Sequence, residues 1–322
     1  MREGLFIKKN IEKWKQYQYR KANDPDEMAN QFTELVNDLG YAKTFYPHSK
    51  VTTYLNGLAS RIYLGIYKNK KERISRIWRF WSTELPLIVR KHHRELTIAF
   101  GIFLLFSIFA AFSAANDNSF VAGILGDDYV EMTQDNIAKG DPFGVYKDEQ
   151  AFMMFVRIAL NNIRVAFLTF IGGLLLSIGT SWFLLVNGVM VGAFQYYFFA
   201  KGLGWASVLV IWIHGTLEIS AIVISGAAGL ILGNSILFPG TKTRLNSLKL
   251  GAKDGIKVML GIVPMLLMAA LLEGFVTRHT EMPKLLSISI LTVSFVFVCW
   301  YFGWYPIQVE KRQGIKKEEV KS

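Results

Sequence analysis

The sequence predicts an all-α fold: a polytopic integral membrane helix bundle of about six spans with an N-terminal cytoplasmic helical domain. Three observations predict it. The 322 residues are 52% hydrophobic with a mean hydropathy of +0.27, and the apolar residues come in long blocks. Most of those blocks reach the length of about 20 residues that a helix needs to cross a bilayer. The segments between the blocks alternate in charge, as the cytoplasmic retention of Lys and Arg requires.

Residues 1–72 read as short helices separated at Asp24-Pro25 and Tyr46-Pro47. Phe32, Leu35, Val36 and Leu39 recur at helical spacing, so this stretch is expected to bury a small core of its own. The chain carries a net charge of +11. In the N-terminal region the basic residues are mixed with acids and no nucleic-acid motif accompanies them, so nucleic acid is not an expected partner. No short apolar segment of signal-peptide type begins the chain, and no cleavage is expected.

Residues 73–94 are more specific. Ile74, Ile77, Trp78, Trp81, Leu85 and Ile88 form one helical stripe, with Arg73, Arg76 and Arg79 off it. Basic residues flanking an aromatic-rich face suit a helix lying flat among lipid headgroups, here just before the first span. Arg73, Arg76, Trp78, Arg79 and Trp81 are the expected membrane-surface residues, and the bilayer is the first expected partner.

Residues 95–307 form the expected transmembrane bundle. The clear spans are 96–115, 163–186, 206–233, 256–276 and 285–305, and 187–203 is a weaker candidate. Asn187-Gly188 suggests a tight turn between the second and third spans. The run 151–186 exceeds one ordinary crossing, so its first third is expected to lie at the interface or form a separate outer helix. Residues 1–94 hold 19 Lys and Arg against 9 Asp and Glu. The segment 116–150 holds eight acids against Lys139 and Lys147. The segment 240–257 and the tail 308–322 are basic again. The two termini and 234–255 are therefore expected inside, and the acidic loop outside, in a bacterial inner membrane. Passing from an outer 150 to an inner 240 takes an odd number of crossings, which favours six spans; a re-entrant 187–203 would leave four.

The apolar stretch "IWIHGTLEISAIVISGAAGLILG" carries His214 and Glu218 four residues apart. At about 100° per residue, His214, Glu218, Ala221, Ser225 and Gly229 share one stripe, with Gly233 at its edge. Small residues every four positions let another backbone approach closely in lipid, so this face is expected to point into protein. Ala166, Thr169, Gly173, Ser177 and Ser181 recur similarly in the second span and offer the partner face. Pro264 is expected to kink the fifth span and open space beside the fourth. A polar cluster of Arg164, His214, Glu218 and Glu273, opening outward, is therefore expected. A carboxylate inside a bilayer costs a few kcal/mol unless it is buried in the bundle and partnered. Two uses of the cluster stay open: a structural or assembly lock, and transport or proton handling.

The acidic loop lacks the spacing of a calcium loop. His-Glu-x-x-His, a Gly-x-Ser-x-Gly elbow and a phosphate loop are all missing from the sequence, so no enzyme, metal or cofactor is expected. Cys299 is the single cysteine, which rules out a disulfide within the chain.

"IHGTLEISAIVISGAAGLILG" combines a His-Gly-x-x-Glu element with an Ala/Gly-rich stretch ending in Leu-Gly. With "NNIRVAF", "NGVMVGAF" and "FPGTKTR", and with "LVNDLGYAKTFYPHS" and "YLNGLASRIYLGIY" upstream, it resembles the stage II sporulation protein M family over most of the chain. The matching positions are His214, Gly215, Glu218, Gly226, Gly229 and Gly233, with Asn162 and Arg164. The resemblance adds Asn162 to the polar cluster and Gly226 to the packing residues Gly173, Ser177, Ala221, Ser225, Gly229 and Gly233. It implies an all-helical inner-membrane protein without catalysis of its own. Relatives in spore formers belong to a complex that remodels peptidoglycan, in which partner subunits cut the wall. Partners are then other membrane or envelope proteins, and a second copy of the chain, a dimer being the first expectation.

The topology makes a direct prediction. A cysteine replacing Asp135, in a Cys299→Ser background, should react with a membrane-impermeant thiol reagent in intact cells; labelling only after lysis would reverse the orientation.

Overall fold

A computed structural model describes residues 1–19, 25–68, 75–143, 150–277 and 282–319, and these are helical with no strand among them. The chain divides into two compact units, Met1–Ile77 and Trp78–Ser322.

The first unit is built on α1 (Glu3–Tyr19), α2 (Pro25–Phe45) and α3 (Lys50–Lys68). Pro25 opens α2 with Asp26 and Glu27 in its first turn, where a missing N–H and negative charge are both tolerated by the helix start. The core holds Trp14, Leu35, Leu39 and Leu55, while Val36 of the anticipated stripe faces outward. Burying an indole leaves its N–H needing an acceptor, and Asp38 Oδ2 supplies it at 2.8 Å. Lys13 closes on the same oxygen at 2.7 Å.

The boundary falls inside α4 (Ser75–Arg79), and the second unit goes on through a π-helical turn over Phe80–Glu84 and α5 (Leu85–Lys91). The stripe expected to lie flat over 73–94 splits here. Ile77 and Trp78 are exposed, but Leu85, Ile88 and Val89 are buried in the helix bundle itself. Tyr301 and Tyr305 donate hydrogen bonds to the carbonyls of Trp81 and Ser82, at 2.7 and 2.9 Å, which fixes the segment there. The backbone then turns at His92 into α6 (His93–Asn116).

Beyond α6, Asp117 caps α7 (Asn118–Leu125) by accepting from the Ser119 N–H and hydroxyl, and these bonds hold its carboxyl below the ordinary range. Then α8 (Asp127–Ala138) follows, close to the expected short helix. Phe143 stacks on Phe198 and Tyr129 meets Phe194, so the acidic loop rests on the bundle through its aromatics.

Six helices are long and apolar enough to span a membrane: α6, then Ala151–Leu174, Ile178–Ala200, Gly204–Leu237, Arg244–Thr277 and Lys284–Gly314. The second begins with α9 (Ala151–Ile171), a single helix, so 151–162 does not form a separate outer helix. The connection to α10 (Ile178–Ala200) falls at 175–177, with Leu176 and Ser177 at φ 53° and 68°. It does not fall at Asn187-Gly188, which lies inside α10. Within an apolar medium a helix keeps its backbone hydrogen bonds internal. Asn187 bonds the Phe183 carbonyl at 2.8 Å, and Gly188 lies against the Phe103 carbonyl, where a side chain would not fit. The missing turn signal at 175–177 is carried by two non-glycine residues in a region they seldom adopt.

The remaining long helices are α11 (Gly204–Leu237), α12 (Arg244–Leu271, prolonged by a π-helical turn over Leu272–Thr277) and α13 (Lys284–Val298). A π-helical turn over Cys299–Trp304 then leads into α14 (Tyr305–Glu319). Register gives their directions. Gly173 lies against Gly229 and Gly233, and α9 and α11 run parallel; Gly251 meets Ser235 while His214 meets Thr277, and α11 and α12 run antiparallel. At one end of the unit Lys91 and His92 bind Asp254 at 2.7 and 3.0 Å, Arg90 binds Glu310 at 2.7 Å, and Lys257 pairs with Glu84. The helix α12 continues through Pro264, which faces an apolar groove with Ser289 and Val293 rather than the side of α11 that carries Glu218.

Glycine is required where backbones touch. A Cβ at Gly229 would overlap the Thr180 hydroxyl and the Thr169 carbonyl, whereas Gly215 has open space. Gly229→Val is expected to abolish monodisperse extraction in mild detergent and Gly215→Ala to leave it intact, as read by size-exclusion chromatography.

Candidate functional site

The central helix α11 is nearly all apolar, and its four-residue spacing puts His214 and Glu218 on one side, near its middle. The antiparallel α12 reaches that side at its end. There the wider π-helical turn brings Glu273 and Thr277, again four apart, against α11. His214, Glu273 and Thr277 are all buried.

Two contacts orient the imidazole. Thr277 Oγ1 lies 3.2 Å from the Leu272 carbonyl, to which it donates, and 3.0 Å from His214 Nδ1. In the tautomer with the proton on Nδ1 the ring donates to Thr277, and the Nε2 lone pair points toward Glu273 Oε2 at 3.8 Å. One imidazole nitrogen and one carboxylate oxygen each from Glu218 and Glu273 lie within 4.8 Å of one another.

A partly open pocket of about 390 Å³ adjoins them, lined by Arg157, Ile158, Asn161, Asn162, Glu218 and Glu273. Asn162 is 4% exposed, and its Nδ2 has no hydrogen-bond partner among the described residues. Glu218 is only partly buried and faces this pocket, not the outer apolar surface of the bundle.

The structure thus brings His214, Glu218, Glu273 and Asn162 together. Arg164 is exposed and does not line the pocket; Arg157 does. Seven residues put the two arginines on one face of α9 but about 10 Å apart along it, and the pocket ends before the second. Thr277 was not anticipated. Its signal was present as a second polar pair at i and i+4 in an apolar segment, opposite in direction to the first. Among the packing residues, Ala221 and Ser225 are fully buried, and Gly226 lies against Leu184. Gly173, Gly229 and Gly233 interlock, and Ser177 abuts Gly233 from the turn rather than from a helical stripe. At the expected membrane surface Arg76, Trp78 and Arg79 are exposed and Trp81 is half-buried; Arg73 lies outside the described residues.

The family model Stage II sporulation protein M matches residues 99–278, more than half of the chain. The chain belongs to the stage II sporulation protein M family. The stretch matched to that family contains every residue of the polar pocket, and the glycine contacts that pack α11 against 169–180. Residues 4–68 match a second model, Domain of unknown function (DUF8413), which covers the three helices of the first unit. No curated protein and no solved structure matches the chain.

Pocket access can be measured. In a Cys299→Ser background, Asn161→Cys should react with a small charged thiol reagent, and Ser225→Cys, at 0% exposure, should resist it. Equal labelling of both would mean that the pocket does not end where described.

Proposed function

We propose that the chain is a non-catalytic membrane subunit that scaffolds a bacterial cell-envelope complex, seated in the inner membrane with both termini in the cytoplasm. One observation carries this reading. Past Glu218 the central helix is sealed: each residue from Ala221 to Gly233 is buried. Its glycines there are closed off by the Leu184 side chain at Gly226, by the Thr180 hydroxyl and Thr169 carbonyl at Gly229, and by Ser177 and the Gly173 carbonyl at Gly233. A polar pocket that ends blindly against such packing suits a fixed element of an assembly better than a conduit.

In this reading the partners are other membrane or envelope proteins, and the chain also associates with a second copy of itself. The first unit is the natural cytoplasmic contact, and α8 with its acids the external one. Trp78 beside Arg76 and Arg79 would sit at the headgroups, where an indole and guanidinium groups are both favoured. A second reading is favoured by one specific feature, the His214–Glu218–Glu273 grouping, which could handle ions or protons in a transporter.

Native electrophoresis of detergent-solubilised membranes separates the two. The scaffold reading expects the chain in a complex well above its own 36.5 kDa. Deleting residues 1–68 should shrink that complex while the remainder stays in the membrane. Purified chain that, alone in proteoliposomes, dissipates a pH gradient and loses this ability with Glu218→Gln would establish transport instead.

A further inference from the structure

The polar grouping beside α11 has the chemistry of a metal site. We propose that His214, Glu218 and Glu273 bind a divalent transition-metal ion, with zinc as the ion of reference. The inference goes beyond the scaffold reading and does not depend on it.

The donor set comes first. One neutral imidazole and two carboxylates suit zinc, manganese or iron, whereas magnesium and calcium prefer oxygen alone. The donors come from α11 and from the π-helical end of α12, and lie within 4.8 Å of one another. Two atoms each about 2.1 Å from one ion can be up to about 4.2 Å apart. The 3.8 Å between His214 Nε2 and Glu273 Oε2 falls inside that span, and the full set, within 4.8 Å, closes onto one ion by a side-chain shift of about half an ångström. The 3.8 Å separation is too long for the two atoms to share a proton directly.

The tautomer comes second. Metal-bound histidines have their other ring nitrogen tied to an outer acceptor, which orients the ring and directs the lone pair at the ion. In the tautomer with the proton on Nδ1, Thr277 performs this task for His214. The Nε2 lone pair then faces the carboxylate oxygens, where an ion would sit.

The third observation concerns a neighbour of the ligands. Asn162, 4% exposed, lines the same pocket beside Glu218, and its Nδ2 makes no hydrogen bond within 3.5 Å among the described residues. A buried amide donor is costly unless something accepts from it. A water or hydroxide carried by the ion is an acceptor of the right type, and the adjoining 390 Å³ has room for it.

The test uses the full chain in detergent, stripped with a chelator and titrated with Zn²⁺ by calorimetry, and with Co²⁺ by its visible absorption. One zinc per chain and a tetrahedral-type cobalt band are expected. His214→Ala and Glu218→Gln should each abolish both. Thr277→Val, which keeps all three ligands, should weaken zinc about 10–100-fold, as loss of a ligand's orienting partner does. His92 with Glu95 and Asp254 forms a separate ionisable group at the basic end. His92→Asn should accordingly leave the stoichiometry unchanged. Folding of each variant is checked by its elution profile and helical circular dichroism. Zinc binding that survives Glu218→Gln and Thr277→Val at full strength, or that disappears with His92→Asn alone, would overturn the site. So would wild-type protein that takes up no zinc.

Discussion

Backbone-to-backbone contact between α11 and the segment 169–180 is the constraint on which the transmembrane unit depends. In lipid, apolar side chains gain little by leaving one hydrocarbon for another, so helices associate through close packing and shared polar contacts. Gly173, Gly229 and Gly233 permit an approach that any larger side chain would block. The Thr180 hydroxyl adds a buried hydrogen bond of 2.7 Å to the Thr169 carbonyl at the same place. Once that contact is made, the parallel register of α9 and α11 follows. So does the placement of Asn162 beside Glu218, about three turns nearer the other end of α11.

The polar pocket is the second tier. Its members come from three helices, and none of them would be tolerable singly at such burial. Glycine contacts below and aromatic packing above hold the three helices at fixed spacing, which lets a histidine and two carboxylates converge. The π-helical turn at Leu272–Thr277 completes the arrangement. It widens the end of α12 so that Glu273 and Thr277 both reach His214, one at each ring nitrogen.

Much of this was readable in the residues. The apolar blocks gave the spanning helices, and the four-residue spacing of His214, Glu218, Ala221, Ser225 and Gly229 identified the face that turns inward. Glu273 was assignable to the cluster because it is a rare acid at the end of an apolar run. The errors share a cause. Asn187-Gly188 is a strong turn signal in water, but in an apolar medium the helix retains its own hydrogen bonds and the glycine serves packing against α6. The actual break falls on Leu176 and Ser177, two non-glycine residues, while the nearby Gly172 and Gly179 meet backbone to backbone across the bend. Arg164 and Arg157 share a helical face, and periodicity alone carries no information on where along that face a pocket stops. Leu85 and Ile88 look like part of an interfacial stripe by spacing, yet Tyr301 and Tyr305, over 200 residues away, anchor that segment to the bundle.

The link at 175–177 also limits how the two helices can sit in a bilayer. Three residues stretch to only about 10 Å, a third of the hydrocarbon thickness. The C-terminal end of α9 and the N-terminal end of α10 must therefore share one face of the membrane, and the two helices cross it in opposite directions.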